Sequence, residues 1–207
     1  MTAANPKTTA TGDATKARIV QATLTTLTRE GVVGTSARAI ARVGHFNQAL
    51  IFYHFGSVAN AIVAAVSEMG TRRMQSHQAA LEDATTLLEL VRVARELHED
   101  DTTSENMTVL AQAFAGAAGD DEMGPKLYAA LEPWSEMLAD TIERVVGDSP
   151  IAQIVPAREI ADAMSALFLG IELLDDLDPS RRHAQSMFDS MESLASLVSS
   201  ILPGERP

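Results

Sequence analysis

Along most of this chain apolar residues recur at three- and four-residue intervals, the spacing of a helix with one buried face. No sustained apolar/polar alternation bounded by turn residues, and no Asn-Gly or Asp-Gly step, suggests a strand or hairpin. Residues 16 to 30 place Ile19, Val20, Thr23, Leu24 and Leu27 on one face, and Gly31 follows as a stop. Ser36 is positioned to cap a short helix running through Val43, with Ala37, Ile40 and Ala41 inward; Gly44 can take the left-handed conformation that ends it. Asn47 caps another short helix to about His54 or Phe55, and Gly56-Ser57 break and restart the chain. Further helices are expected near 57–80, 84–100, 103–118, 122–147, 156–176 and 183–202. Pro133, inside one of them, predicts a kink or break near Glu132.

The text between Gly31 and Phe55 therefore reads as helix stop, capped short helix, tight turn, capped short helix. This is helix-turn-helix grammar, in which one short helix props a second so that one face projects outwards. At 100° per residue, Phe46, Ile51 and Phe55 can bury against Ile40 and Ala41, and Phe52 flanks an outward face of Gln48, Ala49 and Tyr53. Those three suit a major groove: Gln can bond adenine, Ala admits close approach to a thymine methyl, and Tyr can donate to phosphate. The expected class is all-α, with a flexible tail over 1–15, a three-helix DNA-binding domain over 16–56 and a larger helical body over 57–207.

Composition changes this picture in two places. The 207 residues contain no Cys, which removes disulfides, Cys-rich zinc sites and a thiol nucleophile. The polar first 15 residues lack an apolar signal-like core, and the longest apolar runs, such as Ala61 to Val66, are far too short for a bilayer; the expectation is a cytoplasmic protein with no membrane partner. A net charge of −12 argues, taken whole, against nucleic acid. Residues 1–75, however, hold eight Lys or Arg against three acids, a local balance of +5 that leaves −17 for the remainder. Such asymmetry fits one end facing nucleic acid and another with a different task.

With the helix-turn-helix, these residues resemble the DNA-binding domain of the TetR (tetracycline-repressor) family of transcriptional regulators. The resemblance covers about residues 16 to 66: Gly31, Ser36, Ile40-Ala41, the turn at 44–47 and Ile51-Phe52-Tyr53-His54-Phe55 stand in the family's order and spacing. It implies a homodimer whose recognition helices enter successive major grooves of a palindromic operator, about 34–36 Å apart. Three positions depart from the family's pattern. The usual turn glycine falls on His45, with Gly44 just before it, so the turn could be shifted by one residue; the common recognition-helix Tyr falls on Phe52; the Lys that opens the next helix falls on Val58. DNA contact is accordingly assigned to Ser36, Arg38, Asn47, Gln48, Ala49, Tyr53, His54 and Ser57, with Arg42 a further candidate and Asn47 chiefly a cap.

In the body, the resemblance implies that bulky residues of the middle helices line an effector cavity: Met107, Phe114, Tyr128, Trp134, Met137, Met164 and Phe168, with Gln112, His98 or Glu172 to orient a mostly apolar molecule. Met and aromatic residues at helical spacing are more often plain core. The last two helices carry the most regular apolar stripes. Met164, Leu167 and Ile171 lie on one, while Met187, Met191, Leu194, Val198 and Ile201 advance by 4, 3, 4, 3. Phe188, Ala195 and Leu202 add a second flank, more than one neighbour can cover, so a four-helix dimer interface using Met164, Leu167, Ile171, Met187, Met191, Leu194 and Val198 is expected.

The acidic clusters Glu99-Asp100-Asp101 and Asp175-Asp176-Leu177-Asp178 lack the glycine and closing Glu of a calcium loop, and no metal or cofactor is expected. No P-loop, dinucleotide fingerprint, nucleophile elbow or H-E-x-x-H motif is present, so no catalytic residue is assigned. The reading is a ligand-responsive repressor rather than an enzyme, released from its operator by a small-molecule effector. The alternatives are a small helical enzyme or ligand carrier retaining a helix-turn-helix scaffold, and a module using that motif to bind protein.

Overall fold

A computed structural model describes residues 6–104, 106–147, 153–177 and 182–201, and among these every regular element is an α-helix. In chain order they are α1 (Pro6–Gly34), α2 (Ala37–Gly44), α3 (Ala49–Phe55), α4 (Val58–Asp83), α5 (Leu87–Ser104), α6 (Asn106–Ala117), α7 (Met123–Val146), α8 (Ala157–Leu177) and α9 (Arg182–Ile201). α1 begins at Pro6, so residues 6–15 are helical where a tail was expected. Gly31, with φ 67° and ψ 178°, interrupts the helix as its position predicts. Ile201 and Leu202 of the expected stripes, and Asp175, Asp176 and Asp178 of the acidic cluster, have side chains outside the described residues.

The residues form two compact units, one of 1–71 with 108–130 and the other of 72–107 with 131–207. Packing thus divides α4 internally, rather than separating residues 16–56 from everything after them. The first unit is centred on Ile19, Ala22, Ile40, Ile51 and Ala61, with Ala37, Val43, Phe46, Leu50, Phe55 and Val58 packed around them. Four threonines of α1 return their hydroxyls to the carbonyl four residues back, at 2.7 to 3.1 Å. Thr23 and Thr26 can therefore be fully buried without leaving a polar atom unpaired.

The second unit holds two apolar clusters. One gathers Leu81, Ala84, Leu90, Val93, Leu97, Leu138, Ile142, Val146 and Ala161; the other gathers Val91, Ile171, Ala184, Phe188 and Ala195. Its helix ends are capped by side chains. Glu89 accepts from the amides of Thr85 and Thr86 while Thr86 Oγ1 accepts from the amide of Glu89, a reciprocal box that starts α5. Arg144 donates to the carbonyls of Leu81 and Ala84 at 2.8 and 2.5 Å, closing the end of α4.

The break expected near Glu132 does not occur: α7 runs through Pro133 without interruption. Pro133 is exposed, and a 24-residue helix held by packing at Leu127, Leu138 and Ile142 tolerates one missing hydrogen bond. Among the described residues no single helix is long and apolar enough to cross a membrane.

Candidate nucleic-acid interface

α2 starts where Ser36 Oγ accepts from the amide of Ala39 at 3.2 Å. It buries Ala39, Ile40 and Ala41, so Arg38 and Arg42 are left on its outer side. Its left-handed residue is His45 (φ 51°, ψ 49°), whose amide donates to Ala41 O, and not Gly44. The turn is therefore in unshifted register. Gly44 is needed for another reason: a Cβ there would stand 2.1 Å from Phe46 Cε1 and 2.9 Å from Ala22 Cβ. Phe46 folds back over Gly44 into the first unit's core, and the Arg18 guanidinium lies 5.4 Å from its ring centre.

Asn47 Oδ1 accepts from the amide of Ala49 at 2.9 Å, and α3 follows. Ile51 faces the core with no exposure, which rotates Gln48, Ala49, Phe52 and Tyr53 outwards. Tyr53 is 81% exposed, and its ring meets that of His54 edge-on at 4.9 Å. Phe52, half exposed, flanks the same ridge as its spacing predicts, and its ring brings no donor to it.

The remaining expected contacts divide. Ser36 and Arg38 are exposed, and Arg38 forms no ion pair with a described residue. Arg42 is held by Glu30 and is correspondingly less available to phosphate. Ser57 is committed to capping: its Oγ accepts from the amide of Asn60 at 3.1 Å, starting α4. Asn47 is likewise a cap, with its Oδ1 occupied. The ridge thus presents two rings, an amide and a methyl, beside an exposed guanidinium, a surface suited to reading a groove edge and its flanking phosphates.

The seven residues expected to line an effector cavity are divided between the two units, five in the second and Phe114 and Tyr128 in the first. Trp134, Met137, Met164 and Phe168 are half-buried against the larger apolar cluster of the second unit. The Arg73 guanidinium lies 5.5 Å from the centre of the Trp134 ring and 5.1 Å from that of Phe168. Met107 is buried in the same unit, whereas Phe114 belongs to the first. Tyr128 is 65% exposed in the first unit, where Met123 and Leu127 take the buried positions of that stretch of α7 and the next residue turns away. Of the polar residues thought to orient a ligand, His98 Nδ1 and Glu172 Oε1 lie 2.8 Å apart, both buried, with the His98 and Phe188 ring centres 5.4 Å apart. Gln112 Oε1 instead accepts from the backbone of Val32 at 3.0 Å.

The residues expected at a dimer interface differ in how far the chain itself covers them. Ile171 is 2% exposed because Val91, Ala184 and Phe188 enclose it, and Met187 and Met191 pack on that same cluster. Met164 packs on the other, and Val198 is half-buried. Phe188 and Ala195, assigned to the second flank, are with Ala184 the buried positions of α9 among the described residues. What remains exposed is Leu167 and Leu194, joined by Leu173, Leu174, Leu177 and Leu197. Among the described residues no group of three or more His, Cys, Asp or Glu is placed to hold a metal ion.

No protein-family pattern and no curated protein matches the chain. Solved structures do. A TetR-family regulator from Cytophaga hutchinsonii superposes with a TM-score of 0.73 at 18% identity, covering 94% of this chain and 98% of that one. The fatty acid degradation regulator FadR from Bacillus halodurans gives 0.67 at 10% identity, covering 86% and 96%. The regulator FadR from Bacillus subtilis, solved with stearoyl-CoA, gives 0.68 at 11%, covering 86% and 96%. At such identities the likeness is one of fold, and the fold of this chain is that of the TetR-family transcriptional regulators.

Proposed function

We propose that this protein is a ligand-responsive, DNA-binding transcriptional regulator: a cytoplasmic repressor that binds a palindromic operator as a homodimer and leaves it when a small-molecule effector binds. The observation that carries this reading is the outward ridge of Gln48, Ala49, Phe52 and Tyr53 on a helix propped by α2, with Arg38 exposed beside it. Gln48 and Ala49 read base edges; Ser36, Arg38, Tyr53 and His54 contact the phosphates, and Asn47 and Ser57 hold the two helix starts that present them.

The effector site belongs to the second unit, around Trp134, Met137, Met164 and Phe168, with Arg73 between the two rings. Half-buried aromatic and thioether side chains suit a largely apolar molecule, and a guanidinium among them suits one carrying an acidic or polar group. That a neighbouring fold binds stearoyl-CoA supports this class of ligand without naming the one used here. Dimerisation uses the leucines that α8 and α9 leave uncovered, Leu167, Leu174, Leu177, Leu194 and Leu197. Switching requires the effector to favour the released conformation. A hundredfold loss of operator affinity corresponds to a coupling of about 2.7 kcal/mol, near the usual allosteric range.

Selection of bound duplexes from random DNA, repeated at two salt concentrations, tests the proposal. It should recover a palindrome whose binding weakens steeply with salt, each neutralised phosphate adding about 0.9 to the logarithmic slope. Equal binding to every oligonucleotide would remove the regulator reading.

A further inference from the structure

Two side chains of the first unit, neither on a DNA-reading helix, grip the backbone at the two ends of the α2–α3 pair. At the near end, the dihedrals of Gly31 interrupt the helical ladder, and the amide of Val32 is satisfied by Gln112 Oε1 of α6 at 3.0 Å. The Gly31 carbonyl accepts from the Thr35 hydroxyl at 2.7 Å, so the break is hydrogen-bonded on both sides. One turn further along α6, Gly116 makes room for the same residue: a Cβ there would lie 2.4 Å from Val32 Cγ2. Gln112 and Gly116 form a socket that takes both the amide and the side chain of Val32. After Asn106 and Thr108 in its first turn, Gln112 is the one polar side chain of α6, whose sequence is NMTVLAQAFAGA.

At the far end, the carbonyl of Phe55, the last residue of α3, accepts from Asn60 Nδ2 at 2.7 Å. Asn60 Oδ1 in turn accepts from the Lys126 ammonium of α7 at 3.0 Å. A cation on the amide oxygen strengthens donation from the amide nitrogen, so the two bonds support each other. α6 therefore fixes where the chain enters α2, and α7, through Asn60, fixes where it leaves α3.

We propose that Gln112, with Gly116, and Asn60, with Lys126, are positioning residues for DNA reading: they set the attitude of α2 and α3 from α6 and α7 and touch no DNA themselves. This rests on the regulator reading above.

The test uses the full chain and the duplex that the unaltered protein selects from random DNA. Gln112→Leu removes the acceptor and should weaken duplex binding roughly tenfold, the effect of stranding a half-buried amide, while speeding hydrogen exchange over residues 32–35. Gln112→Glu keeps an acceptor and should bind as the unaltered protein does. Gly116→Ala should weaken binding by pushing Val32 aside, and adding Val32→Ala should restore it; this pair decides the matter if Gln112→Leu does not fold. Asn60→Leu should speed exchange over 49–56 and weaken binding similarly. Unchanged exchange and affinity in Gln112→Leu, or failure of Val32→Ala to rescue Gly116→Ala, overturns the proposal. If no duplex is selected at all, the DNA reading falls, and the exchange measurements alone decide whether these side chains position α2 and α3.

Discussion

Gly44 is roofed by the ring of Phe46, so closely that a Cβ on the glycine would lie 2.1 Å from Cε1 and 2.6 Å from Cδ1. Because Ala22 stands behind at 2.9 Å from the same point, the methyl group could not be accepted by a ring movement alone. Gly44→Ala, a change that stabilises most helix positions by roughly 0.5–1 kcal/mol, should here destabilise by about 1–3 kcal/mol, the usual cost of overpacking. Urea unfolding of the two proteins measures it. A variant as stable as the parent would mean that Phe46 is not held over the turn.

Tyr53 and Phe52 make the complementary case, of side chains whose removal should matter only to a partner. Tyr53 is mostly solvent-exposed and touches chiefly its neighbour His54. Tyr53→Ala should change stability by no more than about 0.5 kcal/mol, and should weaken binding to the selected duplex by roughly tenfold, as expected for loss of one good contact. Titration of labelled duplex beside a melting curve separates the two effects. Lost stability with intact affinity would place Tyr53 in the fold rather than at the groove.

Much of this interface was legible in the sequence because capping and helical periodicity are local. Ser36 and Asn47 bond the amides that their types and places predict, and Ile40 and Ile51 face each other across the turn. What local rules could not separate was a glycine required by dihedral angle from one required by packing: His45 takes the left-handed turn and Gly44 makes room for Phe46. The same gap explains α8 and α9. Both flanks of α9 are apolar, and spacing alone does not say which one the chain uses for itself; the choice falls to Phe188 and Ala195 because they meet Ile171 and Val91. Gln112 reads in the sequence as a polar group that could orient a ligand, but its partner is the backbone amide of Val32, eighty residues away, freed by the break at Gly31.

His98 and Glu172 join α5 to α8 at buried positions beside Phe188. Glu172→Leu would deprive His98 Nδ1 of its partner at a buried site and should destabilise by about 1–3 kcal/mol. Replacing both residues, His98→Leu with Glu172→Leu, should cost less than the two single changes summed, since neither polar group is then stranded. A double-mutant cycle in urea decides; additive effects would show that the pair contributes nothing as a pair.

At the start of α7, Asp120 Oδ1 accepts from the amides of Met123 and Glu122 at 2.8 and 2.9 Å. Those amides, the Met123 amide first, hold the carboxyl below its ordinary value. A lowered folded-state value means that the unfolded chain takes up the proton more readily. The stabilisation is present above the ordinary carboxylate range and is lost as the pH falls through the folded value. Asp120→Ala should lower the melting temperature at neutral pH and flatten its fall in acid, whereas Asp120→Asn, which still accepts, should keep most of the cap and lose the pH dependence. Melting curves across the acid range read both.

The exposed leucines of α8 and α9 make the final prediction. Leu167, Leu174 and Leu177 follow one another at helical spacing on α8, and Leu177 is 78% exposed; Gly170 falls within that run and a Cβ on it would meet nothing. Leu194 and Leu197 are exposed on α9, which packs on α8. If a second copy covers this face, Leu194→Asp would bury a charge against apolar surface and should shift the protein from dimer to monomer at micromolar concentration, with the helical content unchanged. Operator affinity should fall with it, because each half-site would then have to be bound independently. Sedimentation at several concentrations is the direct measurement. A variant that sediments as the parent does would move the interface elsewhere, and one that is monomeric yet binds the full palindrome undiminished would separate DNA reading from dimerisation.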